Sequence, residues 1–281
     1  MKTEIVATCW TTAGQAKPLA DDESSPEPLV KRIELAGAAG FSGFGLLHAD
    51  LDKVIEQDRV ADLARMLNDN GLRFLELEFL TGWFNGGPER EEADRRWQRF
   101  LEVASVVPVR NVKVGGNFDG SEASLEIMTN AFGHLCEQAA TCDVSVTLEP
   151  MPYTNIRTTA DGLAITRGAN QSNGGLMIDI WHVARAGVDY DWIRTLNRDD
   201  ILGVEVDDAA TEPVGTLLED TINERRLPGE GSLDIASFVA AVASTGYEGP
   251  VGVEIIAAQH RSRPIVEAIP AAFDAAQRFL G

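Results

Sequence analysis

The sequence predicts a single (β/α)8 TIM barrel spanning residues 1–281. Eight apolar, strand-like runs alternate with helix-length segments, and a regular βα repeat implies a parallel sheet that eight units can close. No linker, low-complexity stretch or finer repeat divides them. The last four runs each deliver a carboxylate at or near their end: Val144–Pro150 at Glu149, Leu176–Ile180 at Asp179, Ile201–Val206 at Glu205 and Pro250–Ile256 at Glu254. In a parallel barrel those ends share one face, where such folds keep their chemistry.

The elements follow in order from composition and spacing. Ile5–Trp10 is a first strand, rich in strand formers, and the Pro-, Gly-, Ser- and acid-rich stretch after it is a loop placed to cover a site. Leu29, Val30, Ile33 and the apolar run at 35–39 make Pro28–Ala39 a helix, stopped by Gly40. Phe41–Leu47 is the second strand and delivers His48 and Asp50; a helix from Ile55 to Leu67 then stops at Asn68–Gly71. Leu72–Phe79 is the third strand, with Glu76 and Glu78 on one face because residues two apart point the same way. After a Gly-rich loop, Glu89–Val106 is a charged amphipathic helix, and Val109–Val114 is the fourth strand, carrying Lys113. Ser121 is the expected N-cap of a helix running to Thr141, and Thr158 or Thr159 of one running to Asn170. The sixth strand leads into Trp181, His182 and a helical stretch broken at Gly187. Beyond the seventh strand, Arg225–Gly231 is a tight turn whose Gly229 and Gly231 permit positive φ. Ser232–Ser244 and Ile265–Leu280 are the remaining helices.

Composition narrows the function classes. Lys+Arg 24 against Asp+Glu 44 gives a net charge of −20, which disfavours nucleic-acid partners, since those binders carry a basic stripe. Cys9, Cys136 and Cys142 are an odd set without CxxC spacing, as in a reducing cytoplasm rather than a disulfide framework. No apolar leader or stretch of membrane-spanning length occurs, so no membrane partner is expected and a cytoplasmic location is. No GxGxxG opens a helix and no GxxxxGK[ST] occurs, so neither a dinucleotide site nor a P-loop is expected. Oligomeric state stays open, a homo-oligomer included.

Four acids gathered at one end of a barrel are costly unless a cation holds them. Glu149, Asp179, Glu205 and Glu254 are therefore the candidate metal ligands, and an all-oxygen set suits Mn2+ or Mg2+, with Co2+ next and Zn2+ last. The competing reading is that each acid merely caps the helix that follows. His182, three residues past Asp179, is a candidate catalytic donor; His48, Trp10, Glu78, Lys113 and Arg261 are candidate substrate contacts, Lys113 because a solvent-facing lysine inside a strand is unexpected. Trp83 and Trp181 also follow strand ends and are candidates for an apolar wall, whereas His134 lies mid-helix and is structural.

Thr-Leu-Glu149-Pro, Ile-Asp179-Ile-Trp-His182, Leu-Pro-Gly-Glu-Gly231 and Gly-Val-Glu254-Ile resemble, in order and spacing, the xylose isomerase-like TIM-barrel superfamily. That group includes sugar isomerases and epimerases, inosose and 3-dehydroshikimate dehydratases, and endonuclease IV. The resemblance implies that Glu149, Asp179 and Glu254 bind a divalent cation and that His182 touches substrate oxygens. It departs at Glu205, where many of the epimerases have histidine; Glu205 either ligates the ion or holds a water or substrate hydroxyl. Four histidines and a negative chain argue against the endonuclease branch.

Such a site acidifies the C–H beside the carbonyl of a sugar or cyclic polyol ketone by stabilising an enediolate. Glu149 and Glu254 on opposite faces of the carbon would remove and return the proton, giving a ketose isomerase or epimerase. Loss of a β-hydroxyl from the same enediolate would make it a dehydratase. A noncatalytic or partner-dependent barrel, its metal site lost through Glu205, is the third expectation.

Overall fold

The computed structural model describes residues 3–281. Eight parallel strands close in sequence order: β1 Ile5–Ala7, β2 Gly43–Leu47, β3 Phe74–Leu80, β4 Val109–Gly115, β5 Ser145–Glu149, β6 Gly174–Asp179, β7 Ile201–Val206 and β8 Val251–Val253, which pairs back onto β1. Strand alternation sets the two faces. Val112, Val146, Leu148, Ile178 and Val204 point outward into a continuous apolar layer that includes Phe100, Phe132 and Phe238 from the surrounding helices. Each of those three rings is fully buried, and truncating one to alanine costs about 3–5 kcal/mol. The alternate residues, among them Lys113, Thr147, Glu149 and Glu205, turn into the barrel.

Several boundaries differ from the sequence expectation. Strand β1 ends at Ala7, and Cys9–Thr12 is a helical turn. The cause is local: the hydroxyls of Thr8 and Thr11 both donate to the Val253 carbonyl, at 2.9 and 2.6 Å, and fold the chain over the end of β8. The single helix expected over Ile55–Leu67 is two, His48–Glu56 and Val60–Asp69, broken where Asp58 takes φ 54°. Ser124 rather than Ser121 caps the next long helix, Leu125–Ala139, accepting from the Ile127 N–H. Thr158 caps Thr159–Ala169, its hydroxyl accepting from the Asp161 N–H while its own backbone N–H donates to the Asp161 carboxylate. Asp234 caps Ile235–Ser244, so that helix begins three residues later than expected. The helix Leu217–Asn223 was not anticipated, although Thr216 and Glu219 form a capping box that the T-x-x-E spacing announces. Among the described residues, no helix is long and apolar enough to cross a membrane.

Candidate metal centre and active site

Adjacent strands bring the acids into register. Gly115 pairs with Glu149, Asp179 with Glu205, and Glu205 with Gly252. Glycine is needed at the last position, because a Cβ on Gly252 would lie 2.7 Å from the Glu205 Cγ. Glu149, Asp179, Glu205 and Glu254 are all buried, and each offers an oxygen lying within 4.8 Å of the others. Glu149, Asp179 and His182 form an overlapping trio on the same criterion.

Two cations stand among these acids. The Lys113 Nζ lies 2.7 Å from Glu78 Oε2, 2.8 Å from Glu205 Oε1 and 3.1 Å from Glu254 Oε1. The Arg225 Nη1 lies 2.7 Å from both Asp179 Oδ2 and Asp207 Oδ2, and 3.1 Å from Glu254 Oε2. Its Nε and Nη2 donate to Thr221 Oγ1, and Nη2 stands 3.2 Å from His182 Nε2. The Trp181 ring, anchored by its own N–H on Asp220, lies 5.2 Å from the guanidinium carbon and supports it by a cation–π contact. Asp179 does cap a helix, accepting from the His182 N–H at 3.0 Å, and it faces Arg225 with its other oxygen. The capping and clustering readings therefore both hold for it.

Six buried carboxylates, Glu78, Glu149, Asp179, Glu205, Asp207 and Glu254, face these two cations, and the balance is negative. Burial drives Glu205 and Asp207 well above the usual carboxylate range despite Lys113 and Arg225. Burial likewise raises Glu254 to about 7, against the pull of Lys113 and Arg225. Burial pushes Glu149 upward too, but the Lys113 charge leads the contributions that outweigh it and bring it to about 2. Glu149 Oε1, Glu205 Oε2 and Asp207 Oδ1 have no hydrogen-bond partner. The 3.4 Å approach of His182 Nε2 to Glu149 Oε1 is a charge contact lacking hydrogen-bond geometry. Buried, unpartnered carboxylate oxygens inside a ring of acids are what a divalent cation would satisfy, so the donor set fits one.

A cavity of about 270 Å³ opens directly above. Glu78, Glu149, His182, Arg225 and Glu254 form its floor, and Trp10, Leu47, Phe79, Phe118, Tyr153 and Ile256 its walls. The loop after β1 closes one side with Pro18, Leu19 and Glu23, the covering role expected of it. His48 is at the rim, where burial first and the Arg96 charge second lower it to about 4.

Four expected contacts lie elsewhere. Lys113 is buried beneath the acids and does not line the cavity. Arg261 points away, donating to the Ile222 carbonyl and Asn223 Oδ1 at 2.6 and 2.7 Å, so it ties down the helix that precedes Arg225. Trp83 is buried against Phe84 and donates to the Gly115 carbonyl, and Trp181 lies under Arg225; neither lines the cavity. His134 is on an exposed helix face, beside Gln138.

Arg225 is the floor residue that sequence reasoning missed. The turn after it is held by Asp208, whose carboxylate accepts from the N–H groups of Gly229, Gly231 and Leu233 at 2.8–3.0 Å. A Cβ on Gly231 would lie 2.2 Å from Asp208 Oδ1, which explains the second glycine of the turn. An antiparallel bridge between Asp208 and Arg226 then fixes the neighbouring Arg225 over the barrel.

The model of the xylose isomerase-like TIM barrel matches residues 33–280. The chain belongs to that family. Within it, the chain is 26% identical over 242 residues to a 3-dehydroshikimate dehydratase of Pseudomonas aeruginosa, covering 84% of this chain but 37% of the dehydratase. It thus spans little more than a third of that relative's length. An inosose isomerase of Halalkalibacterium halodurans is 26% identical over 256 residues, covering 88% of this chain and 89% of the isomerase. Among solved structures, an IOLI protein with a bound zinc atom superposes with a TM-score of 0.83 at 20% identity, covering 100% and 98% of the two chains. A D-psicose 3-epimerase in the presence of D-fructose superposes at 0.75 with 15% identity, covering 100% and 99%. At these identities the structural matches speak for the fold, which this member of the xylose isomerase-like family shares with them.

Proposed function

We propose that this chain is a divalent-metal-dependent isomerase or epimerase of a sugar or cyclic polyol ketone. The observation that carries the reading is the pair of buried, unpartnered oxygens of Glu149 and Glu205 within the four-acid ring, next to a cavity. Glu149, Asp179, Glu205 and Glu254 would hold the ion, Mn2+ or Mg2+ by the all-oxygen character of the set. Bound there, the ion would supply positive charge to stabilise the enediolate oxygens that form when the C–H beside the ketone is ionised.

The chain's own residues do the rest. Glu149, held ionised, takes the proton from the substrate carbon, and Glu254, across the floor, returns one. Delivery to the same carbon from the other face inverts it; delivery to the neighbouring carbon moves the carbonyl. His182, whose Nε2 lies 3.4 Å from Glu149 Oε1, donates to a substrate oxygen. The walls exclude water from the reacting carbon, and Trp10, Phe79 and Phe118 offer apolar faces to the C–H side of a ring. Four of the five Arg225 N–H donors are engaged with Thr221, Asp179 and Asp207, and the fifth faces His182 Nε2.

Solvent-deuterium incorporation into a panel of ketoses and inososes, with added Mn2+, tests the reading. Exchange at the carbon beside the carbonyl is expected, and no exchange in any compound with the metal-loaded protein would overturn it. The match to dehydratases favours a second outcome at the same site, elimination of a β-hydroxyl; growth of enone absorbance during turnover would select it. A purified protein that takes up no stoichiometric Mn, Mg, Co or Zn would instead support a noncatalytic barrel.

A further inference from the structure

Lys113 has a position that neither substrate binding nor proton transfer explains. Its side chain is 1% exposed, it lies below the cavity floor, and its ammonium makes contacts at 2.7, 2.8 and 3.1 Å with Glu78, Glu205 and Glu254. The ammonium donates hydrogen bonds to Glu205 and Glu254 and makes an ion-pair contact with Glu78, and it does not line the cavity. The partners come from β3, β7 and just beyond β8, while Lys113 comes from β4; the ammonium ties staves together across the barrel interior. Two of the three partners belong to the four-acid ring, and Glu205 keeps its second oxygen unpartnered.

We propose that Lys113 is a built-in counter-cation. It holds Glu205 and Glu254 in ligand orientation when no metal is bound, and it opposes the charge of an incoming divalent ion, setting how tightly that ion is kept. This inference rests on the metal reading above. Electrostatics gives its direction: a fixed positive charge sharing two ligands with an ion lowers the ion's affinity, and in a dry interior that repulsion is screened little. The same charge stabilises the empty ring, because buried carboxylates without a partner are strongly unfavourable. Lys113 is thus a positioning residue, acting through Glu205 and Glu254.

The test is Mn2+ titration by calorimetry at pH 8 on chelator-treated parent and Lys113→Met protein, with melting temperatures in EDTA and in excess Mn2+. Lys113→Met should bind Mn2+ roughly tenfold or more tightly, melt lower than the parent in EDTA and recover most of the difference with Mn2+. An affinity that is unchanged or weaker overturns the proposal, since a lysine with a merely structural role would lower the melting temperature without tightening metal binding. Should Lys113→Met fail to fold, the charge-compensated pair Lys113→Met with Glu205→Gln carries the comparison. Melting close to the parent in EDTA supports the counter-cation, and failure of that pair to fold overturns it. A parent that binds no Mn2+ would sink the metal reading itself, whereas a parent that binds it and a variant that binds no tighter would sink only this inference.

Discussion

Strands β3 and β4 contribute two acid–base pairs, and the difference between them separates structure from function. Near the start of the strands, Arg110 Nη1 meets Glu76 Oε1 at 2.6 Å, and its other nitrogen reaches the Leu202 carbonyl and the Tyr247 hydroxyl. Neither Glu76 nor Arg110 leaves a buried polar atom without a partner. Two residues along β3 and three along β4, Glu78 and Lys113 belong to a cluster that carries more acids than cations and leaves oxygens of Glu149, Glu205 and Asp207 unpartnered. The lower pair is complete as it stands, as a structural ion pair should be. The upper cluster keeps carboxylate oxygens that a cation could satisfy. Surplus negative charge with unpartnered carboxylate oxygens, not burial or the presence of ion pairs, marks the candidate active end; unmet hydrogen bonding by itself does not, since both side-chain polar atoms of Asn111, paired with Glu76 at the lower level, also lack a partner.

Substitutions at the two levels should therefore fail in different ways. The largest effect is expected from Glu149→Gln or Glu254→Gln: turnover should fall by about a thousandfold or more, with thermal melting close to the parent. Near-parental exchange rates in either variant would remove the proton-transfer pair from the argument. Next is Gly231→Ala, where the new Cβ meets Asp208 and displaces the turn that sets Arg225. A loss of about 10- to 100-fold in kcat/KM is expected, by analogy with the cost of small misplacements near a reacting centre, while the α-helical circular dichroism stays unchanged. At the lower level, Glu76→Gln should do the opposite, costing about 2 kcal/mol in urea unfolding after allowance for the partial exposure of Arg110, with Mn2+ affinity unaltered. Loss of metal binding there would erase the distinction between the levels.

A further effect, confined to acid pH, is expected at the rim. His48 is held near 4 in the folded chain by burial and by Arg96, against an ordinary value of 6.5. A depressed histidine pKa means that the unfolded chain binds the proton first. The stability that neutral His48 contributes is complete above pH 6.5 and is lost as pH falls toward 4, by at most about 3 kcal/mol. His48→Gln should flatten that part of the stability profile in metal-free protein, and an unchanged acid slope would show that His48 does not set it.

Much of this architecture was legible in the chain. Strand alternation and the order of strands and helices depend on neighbours a few residues away, and so do the carboxylates that end β5, β6 and β7 and follow β8. The boundaries that moved did so for contacts between distant parts: the helical turn at Cys9–Thr12 exists because Thr8 and Thr11 reach Val253 across the closure of the barrel. Arg225 had a partial signal in the Thr216–Glu219 capping box and the glycine turn, yet nothing in either says that the guanidinium enters the acid ring.

Sequence by itself determined the barrel, the single face on which its acids emerge and the family to which it belongs, because these follow from periodicity and short motifs. Only the tertiary structure decided what each acid faces. Lys113 meets Glu205 from 92 residues away and Glu254 from 141, and Arg225 meets Asp179 from 46. Which charges are already compensated and which still await a partner depends on barrel register and on the inward reach of long side chains, and local spacing carries no record of either.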